Sequence, residues 1–139
     1  MVREALYLFG AVSPLDGRLV TTIEKTANAD AMTRFLAVTA EAFPDDRLLM
    51  VLDGAGWHIA KALVIPERLR LIRLPPYCPD LNPAEHLWAA IRFRCFANRL
   101  FSTLSAVEAQ LKTGAAELAA DPAGLVSMTC FPWIRLCVL

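Results

Sequence analysis

The sequence predicts one α/β domain over residues 1–139, and three observations support that class. Two β-rich segments flank a Pro/Asp/Gly turn near the N-terminus. A short apolar run that ends on an acid is followed by a second apolar run, which is the pattern of two parallel strands joined by a crossover. Helix-start signals recur in the C-terminal half. At 139 residues and 56% hydrophobic composition, the chain is long enough and apolar enough for a single core.

The N-terminal elements are predicted to be a hairpin and a helix. Residues 5–12 and 18–24 are the two strands, and the segment Ser13 to Gly17 supplies the turn. Asn28 or Asp30 then begins a helix whose apolar residues follow helical spacing, and Pro44 ends it.

Residues 48–53, LLMVLD, are predicted to form a strand that is buried on both faces, because the apolar run is continuous and too short for a typical helix. The strand ends on Asp53, a charge that it cannot bury, which places this acid at the sheet edge where open α/β sheets bind ligands. An ordinary turn acid before Gly54 explains Asp53 equally well. A short helix over residues 60–64 and a parallel strand over residues 69–74 should follow.

The segment from residue 74 to residue 88 is predicted to be a stiff turn that leads into a helix. Its three prolines between residues 75 and 79 fix φ and favour an extended chain. Asn82 is the predicted N-cap, Pro83 the first helical residue and Glu85 the third, a variant of the capping box. Glu85 is therefore either a helix cap or a carboxylate directed at the same sheet edge as Asp53. Two converging carboxylates repel each other unless a cation lies between them, and such oxygen ligands favour Mg²⁺ or Mn²⁺.

The C-terminal part is predicted to contain one further helix. Ser105 and Glu108 have capping-box spacing and should open a helix that runs to about Ala120. The pair Asp121-Pro122 should end it, and the C-terminal segment with Phe131, Pro132 and Trp133 is expected to pack as a short irregular tail.

Charge and cysteine content narrow the class of protein further. The formal net charge is zero, but residues 61–99 hold seven basic residues against three acids, which is compatible with a phosphate-facing side. The four cysteines show no CxxC pairing and no metal-ligand spacing, so we expect reduced thiols in a cytoplasmic protein. No segment has the length and hydrophobicity of a membrane span.

The sequence gives little support for nucleotide-binding, serine-hydrolase or zinc sites. There is no GxxxxGK[ST] phosphate loop and no GxSxG elbow. A metal site formed by Asp53 and Glu85 with His58 and His86 is conceivable, but its spacing matches no zinc pattern.

Two segments resemble a known family. VLDGAGWH at residues 51–58 and LPPYCPDLNPAEHLW at residues 74–88 resemble the second and third signature blocks of DDE-type transposases, in the mariner-like branch of bacterial insertion sequences. Residues 9–17 resemble the first hairpin of that family. The resemblance implies a ribonuclease-H-like core and two-metal cleavage and transfer of DNA strands with Mg²⁺ or Mn²⁺. It also implies that Asp53 is the second metal-binding carboxylate, that Glu85 is the third, and that the partners are transposon-end and target DNA.

The sequence also departs from the pattern of this family. The first catalytic aspartate of the family lies on a strand upstream of the hairpin, whereas this sequence starts at the hairpin, and no acid matches that aspartate. Asp16 is better explained as a turn residue, and Glu4 lies near the N-terminus. We therefore expect an N-terminally truncated core, a hairpin followed by strand-helix-strand-helix, that lacks the first central strand. Such a chain should not cut DNA alone, and the expected protein partners are an upstream transposase segment or further copies of the same chain in a homo-oligomer. The alternative is a non-catalytic remnant that binds DNA or a transposase partner.

Overall fold

The computed structural model describes residues 4–52, 62–75, 82–131 and 134. Within these ranges the chain forms strands and helices in the order ββαββααα. The elements are β1 (Tyr7–Ser13), β2 (Arg18–Glu24), α1 (Ala29–Ala42), β3 (Leu48–Leu52), β4 (Leu69–Arg73), α2 (Ala84–Phe96), α3 (Leu104–Ala119) and α4 (Pro122–Thr129). The predicted mixed α/β class and the predicted hairpin are confirmed.

The chain divides into two compact units. The sheet unit consists of Tyr7–Ala11 and Val20–Asn82, and the helical unit consists of Met1–Leu6, Val12–Leu19 and Pro83–Leu139. In the described part of the chain, β1 pairs with β2 and β3 pairs with β4, which makes two separate sheets of two strands each.

Helix α1 organises the core of the sheet unit. The side-chain oxygen of Asn28 accepts a hydrogen bond from the Ala31 N–H at 2.9 Å, so the predicted N-cap forms. Met32, Phe35 and Leu36 face inward, as their helical spacing predicts. Apolar residues of both sheets pack against this helix, and the core comprises Phe9, Ala11, Val20, Met32, Phe35, Leu36, Phe43, Leu48, Met50, Leu52, Leu63, Leu69 and Leu71.

Strands β3 and β4 are parallel, as predicted, and pair in register from Leu48 with Leu69 to Leu52 with Arg73. The expectation that β3 is buried on both faces is wrong. Alternate residues point away from the core, where Leu49 is 62% exposed and Val51 is 41% exposed. The sequence could not indicate the exposed face of β3, because all five residues of LLMVL are apolar and show no alternation of apolar and polar residues.

Arg68, just before β4, holds the C-terminal end of α1. Its guanidinium donates to the carbonyl oxygens of Ala40 at 2.9 Å, Phe43 at 2.7 Å and Asp46 at 2.6 Å. The carbonyl oxygens of Ala40 and Phe43 also accept backbone N–H groups, from Phe43 and Asp46 respectively at 3.3 Å, so the guanidinium adds a second, charged donor to each of them. The side chain is therefore a structural clasp between α1 and β4.

The starts of the C-terminal helices differ from prediction. Thr103, rather than Ser105, is the N-cap of α3, and its hydroxyl accepts from the Ala106 N–H at 3.1 Å. The earlier start brings the half-buried Leu104 into the helix. Asp121 and Pro122, predicted to end α3, also begin a further helix, α4, that was not predicted, with the Asp121 side chain accepting from the Gly124 N–H at 3.1 Å. None of the helices in the described ranges is both long and apolar enough to cross a bilayer.

Two glycines mark close approaches inside the helical unit. Gly17, in the hairpin turn, has φ of 72°, and a Cβ there would collide with the carbonyl oxygen of Pro122. Gly114 on α3 faces Cys95 on α2, and a Cβ at Gly114 would collide with the Cys95 sulfur. Burial, together with the nearby charge of Glu117, raises the pKa of the Cys95 thiol.

Candidate active site

The first candidate acid, Asp53, follows the end of β3. Leu52 closes that strand, and its carbonyl oxygen accepts from the Leu74 N–H at 2.7 Å, so β3 and β4 end side by side. The edge position of Asp53 was predicted from burial of the strand on both faces, which the exposure of Leu49 and Val51 contradicts, although the parallel pairing itself is present. Asp53 and His58 themselves lie outside the described residues, and the roles suggested for them stay predictions.

The second candidate acid, Glu85, lies in the first turn of α2. The helix begins at Ala84, and Pro83 occupies the N-cap position with φ of −68° and no side-chain cap hydrogen bond. The prediction that Asn82 is the N-cap and Pro83 the first helical residue is therefore wrong by one position. A capping box needs an N–H at the N-cap residue, which proline lacks, so Glu85 cannot make the reciprocal bond of that motif.

Glu85 is exposed, and no hydrogen bond or ion pair joins its carboxylate to another residue of the described ranges. The buried side of α2 is formed by Leu87, Ile91 and Cys95. At 100° per residue, Glu85 points away from that buried side. The partial positive charge at a helix N-terminus attracts negatively charged groups. The position therefore suits an acid that binds a cation or another external group.

His86 has a different environment from its neighbour. Its Nδ1 lies 3.1 Å from the carbonyl oxygen of Met128, and because a carbonyl oxygen only accepts, Nδ1 is the donor. The imidazole also meets the Phe131 ring edge-on, with 5.1 Å between ring centroids. These contacts join the start of α2 to the end of α4, which gives His86 a role in packing the helical unit.

The basic residues counted in the sequence differ in what they contact. Arg68 is engaged with three backbone carbonyls. Arg94 pairs with Glu117 on α3 at 3.6 Å. Arg92 is exposed and has neither a hydrogen bond nor an ion pair with any residue that the structure describes. Of these three arginines, Arg92 alone has no such contact and lies on the same side of α2 as Glu85.

Phe93 is a residue that the sequence analysis overlooked. Its side chain is 76% exposed, beside Arg92. The signal was available in the spacing, because Phe93 lies outside the apolar stripe of Leu87, Ile91 and Cys95. Among the described residues, no group of three or more His, Cys, Asp or Glu side chains is arranged to hold a metal ion.

Comparison with known proteins extends these observations. The family model described as "DDE superfamily endonuclease" matches residues 2–108. A protein of Sinorhizobium fredii (strain NBRC 101917 / NGR234), named uncharacterized protein y4pE/y4sA, is 35% identical over 96 residues, which cover 68% of this chain and 71% of that protein. No solved structure matches the chain.

Proposed function

The chain belongs to the DDE superfamily endonucleases, and from this premise we propose that it is part of the catalytic domain of a transposase that cleaves and transfers DNA strands. The observation that carries the proposal is the position of Glu85. This acid lies inside the matched region, in the first turn of α2, exposed and directed away from the buried side of the helix.

The proposal assigns Asp53 and Glu85 as metal-binding carboxylates. The chemistry of this donor set fits a hard divalent cation, Mg²⁺ or Mn²⁺, because carboxylate oxygens are the ligands that such ions prefer. When bound, the cations activate the attacking water or 3′ hydroxyl and stabilise the leaving oxygen of the phosphodiester. The chain's own contribution is to supply one carboxylate side chain at a helix N-terminus and another that follows a parallel strand in the sequence.

The fold that we propose is a ribonuclease-H-like core without its first, central strand. The two separate two-stranded sheets, both packed on α1, support this interpretation, because a central strand between them would join them into one sheet. The sequence matches two of the three acids that the family resemblance implies. We therefore expect no strand cleavage by the 139-residue chain alone, with activity appearing when the first aspartate is supplied.

A nicking and strand-transfer assay on transposon-end DNA tests the proposal. The chain is compared with a form extended by the upstream coding region, each with Mg²⁺, with Mn²⁺ and with a chelator. We expect metal-dependent nicking by the extended form only. Glu85→Gln in the extended form should reduce nicking by at least about a hundredfold, because a metal ligand is lost while the shape of the side chain is kept.

Glu41→Gln is the matched control, since Glu41 is an exposed acid on α1, in the sheet unit rather than at the start of α2. It should leave nicking unchanged. Nicking that survives Glu85→Gln would overturn the assignment of Glu85. DNA binding without nicking by either form would favour the non-catalytic alternative.

A further inference from the structure

The loop that joins α2 to α3 holds one apolar side chain entirely in solvent. Leu100 is 102% exposed, more than any other large apolar residue of the described ranges. The preceding residues Asn98 and Arg99 are exposed as well. Single exposed apolar residues are common on protein surfaces, so Leu100 is informative only if its loop is held in one shape.

Contacts at both ends hold the α2–α3 loop. Asn98 has φ of 57°, and among the described residues it is the one non-glycine residue with positive φ. Asparagine tolerates this left-handed conformation, which ends α2 and turns the chain away from the helix. The Arg99 N–H then donates to the Phe96 carbonyl oxygen at 3.3 Å. The rings of Phe96 and Phe101 meet edge-on with 5.7 Å between their centroids, so Leu100 lies in a loop whose two ends are packed together.

The charge of this loop is positive. From residue 86 to residue 107 the sequence contains no acid, and Arg99 directly precedes Leu100. The guanidinium of Arg99 is exposed and makes no hydrogen bond or ion pair with a residue that the structure describes. The turn of the β1–β2 hairpin differs, because its exposed Leu15 precedes an acid, Asp16, that pairs with Arg18 at 2.7 Å. Of these two turns, only the α2–α3 loop places a cation without such a contact beside its leucine.

A cation beside an exposed apolar side chain is a combination with which proteins deform duplex DNA. The arginine contacts a phosphate or enters the minor groove, while the apolar side chain inserts between two base pairs and partly unstacks them. A second copy of this chain is a poorer match, because a two-fold contact through the loop would bring the two Arg99 side chains together. The charge of the loop therefore favours a DNA duplex over a second copy.

Resting on the function proposed above, we propose that the α2–α3 loop is a DNA-deforming wedge. Leu100 inserts at a base step of the duplex from the minor groove, and Arg99 binds an adjacent phosphate. Pyrimidine–purine steps and mismatched pairs unstack at the least cost, so the loop prefers them without reading base edges. The loop begins about 16 Å along the helix axis from Glu85, which makes it a contact site separate from the proposed metal ligand.

The test uses a short duplex that carries 2-aminopurine at a pyrimidine–purine step, mixed with the 139-residue chain at low salt with a chelator present. The fluorescence of 2-aminopurine rises when the base unstacks, and we expect binding to raise it. Leu100→Ala should abolish the rise at saturating protein, whereas Leu100→Met, which keeps a long apolar side chain, should retain it. Arg99→Gln should weaken binding about threefold to tenfold and reduce the log–log salt slope by about 0.9, while the fluorescence at saturation is unchanged.

Leu15→Ala is the matched control, because Leu15 is a 49% exposed leucine in another turn of the same unit, beside an acid. It should leave both affinity and fluorescence unchanged. A duplex with one mismatched pair at the labelled step should bind the parent chain more tightly than the fully paired duplex, since unstacking costs less there. Leu100→Ala should lose this preference, and circular dichroism should show that the variant is folded.

The outcomes separate this inference from the proposed function. If the chain binds DNA but Leu100→Ala behaves like Leu15→Ala, the wedge is overturned, while nicking by the extended form is unaffected. If the fluorescence depends on Leu100 but no form nicks DNA, the wedge stands and the catalytic proposal falls. Absence of DNA binding overturns the inference, and so does an effect of Leu100→Ala on sedimentation alone, which would assign the loop to contact between copies of the chain.

Discussion

Helices α1 and α2 are almost equal in length, 14 and 13 residues, yet they use polar side chains in opposite ways. α1 is closed at both ends, by the Asn28 cap and by the Arg68 clasp. α2 begins at Pro83 without a side-chain cap, and its exposed Glu85 and Arg92 contact no polar partner in the described residues. Polar residues around α1 therefore stabilise the fold, whereas Glu85 and Arg92 on α2 contribute no such contact within the described residues.

The largest expected effect on stability would come from the Arg68 clasp. Arg68→Ala removes three hydrogen bonds from a charged donor to the end of α1 and the loop after it, so the free energy of unfolding should fall by about 2 to 4 kcal/mol. Arg92→Ala should lower the free energy of unfolding by less than about 0.5 kcal/mol. Urea denaturation of both variants measures the difference. Equal losses of unfolding free energy in the Arg68 and Arg92 variants would contradict the difference proposed between the two helices.

A smaller effect is expected on the buried side of α2. Gly114→Ala places a methyl group against the Cys95 sulfur, which should cost about 1 to 3 kcal/mol, partly offset by a gain of about 1 kcal/mol in helix propensity. With Cys95→Ala already present, the collision is removed and the substitution should become neutral or stabilising. A double-mutant cycle from denaturation midpoints measures this reversal. If Gly114→Ala destabilises the protein equally with and without Cys95→Ala, the methyl group at position 114 collides with a residue other than Cys95.

The smallest effect concerns the ion pair between α1 and β2. A hydrogen bond from Arg34 at 2.8 Å lowers the pKa of Glu24 below its ordinary value of 4.5, and the charge of Arg34 adds to the shift. Because the folded-state pKa is the lower one, the pair stabilises the protein above about pH 4.5, and this contribution disappears as the pH falls through the lowered pKa. Since the pair is exposed, the effect should be small and weakened by salt.

Arg34→Met should therefore lower the denaturation midpoint near neutral pH and have less effect near about pH 3. Lys25→Met removes an equal charge from an exposed position just after β2 and should show no such trend. A constant difference between Arg34→Met and the parent chain at all pH values would mean that packing, rather than the ion pair, accounts for it.

Local chemistry made much of the fold predictable. The Asn28 cap, the Pro/Asp/Gly hairpin turn and the parallel pairing of β3 with β4 each follow from a signal that a few neighbouring residues carry, and the structure confirms them. Helix starts with two possible registers were less predictable. Thr103 and Ser105 are both competent caps, and packing of the intervening Leu104 decides between them.

The start of α4 and the role of Glu85 were also ambiguous in the sequence. Asp121-Pro122 was interpreted as a stop, although a capping acid followed by proline at the first helical position equally begins a helix. Glu85 could be identified from the sequence as a candidate, but its alternative role as a capping-box acid depended on a register that Pro83 shifts by one residue. Phe93 was overlooked although its position outside the stripe of Leu87, Ile91 and Cys95 indicates an exposed ring.

The close fit of Gly17 against Pro122 has a practical consequence for engineering the chain. Hairpin tips are usually good places to insert an epitope tag or a fluorescent label, because they tolerate added residues. Here the left-handed backbone at Gly17 and the carbonyl of Pro122 leave no room even for a methyl group. The exposed bend at residues 25–27, outside any helix or strand, is the better attachment point for a probe.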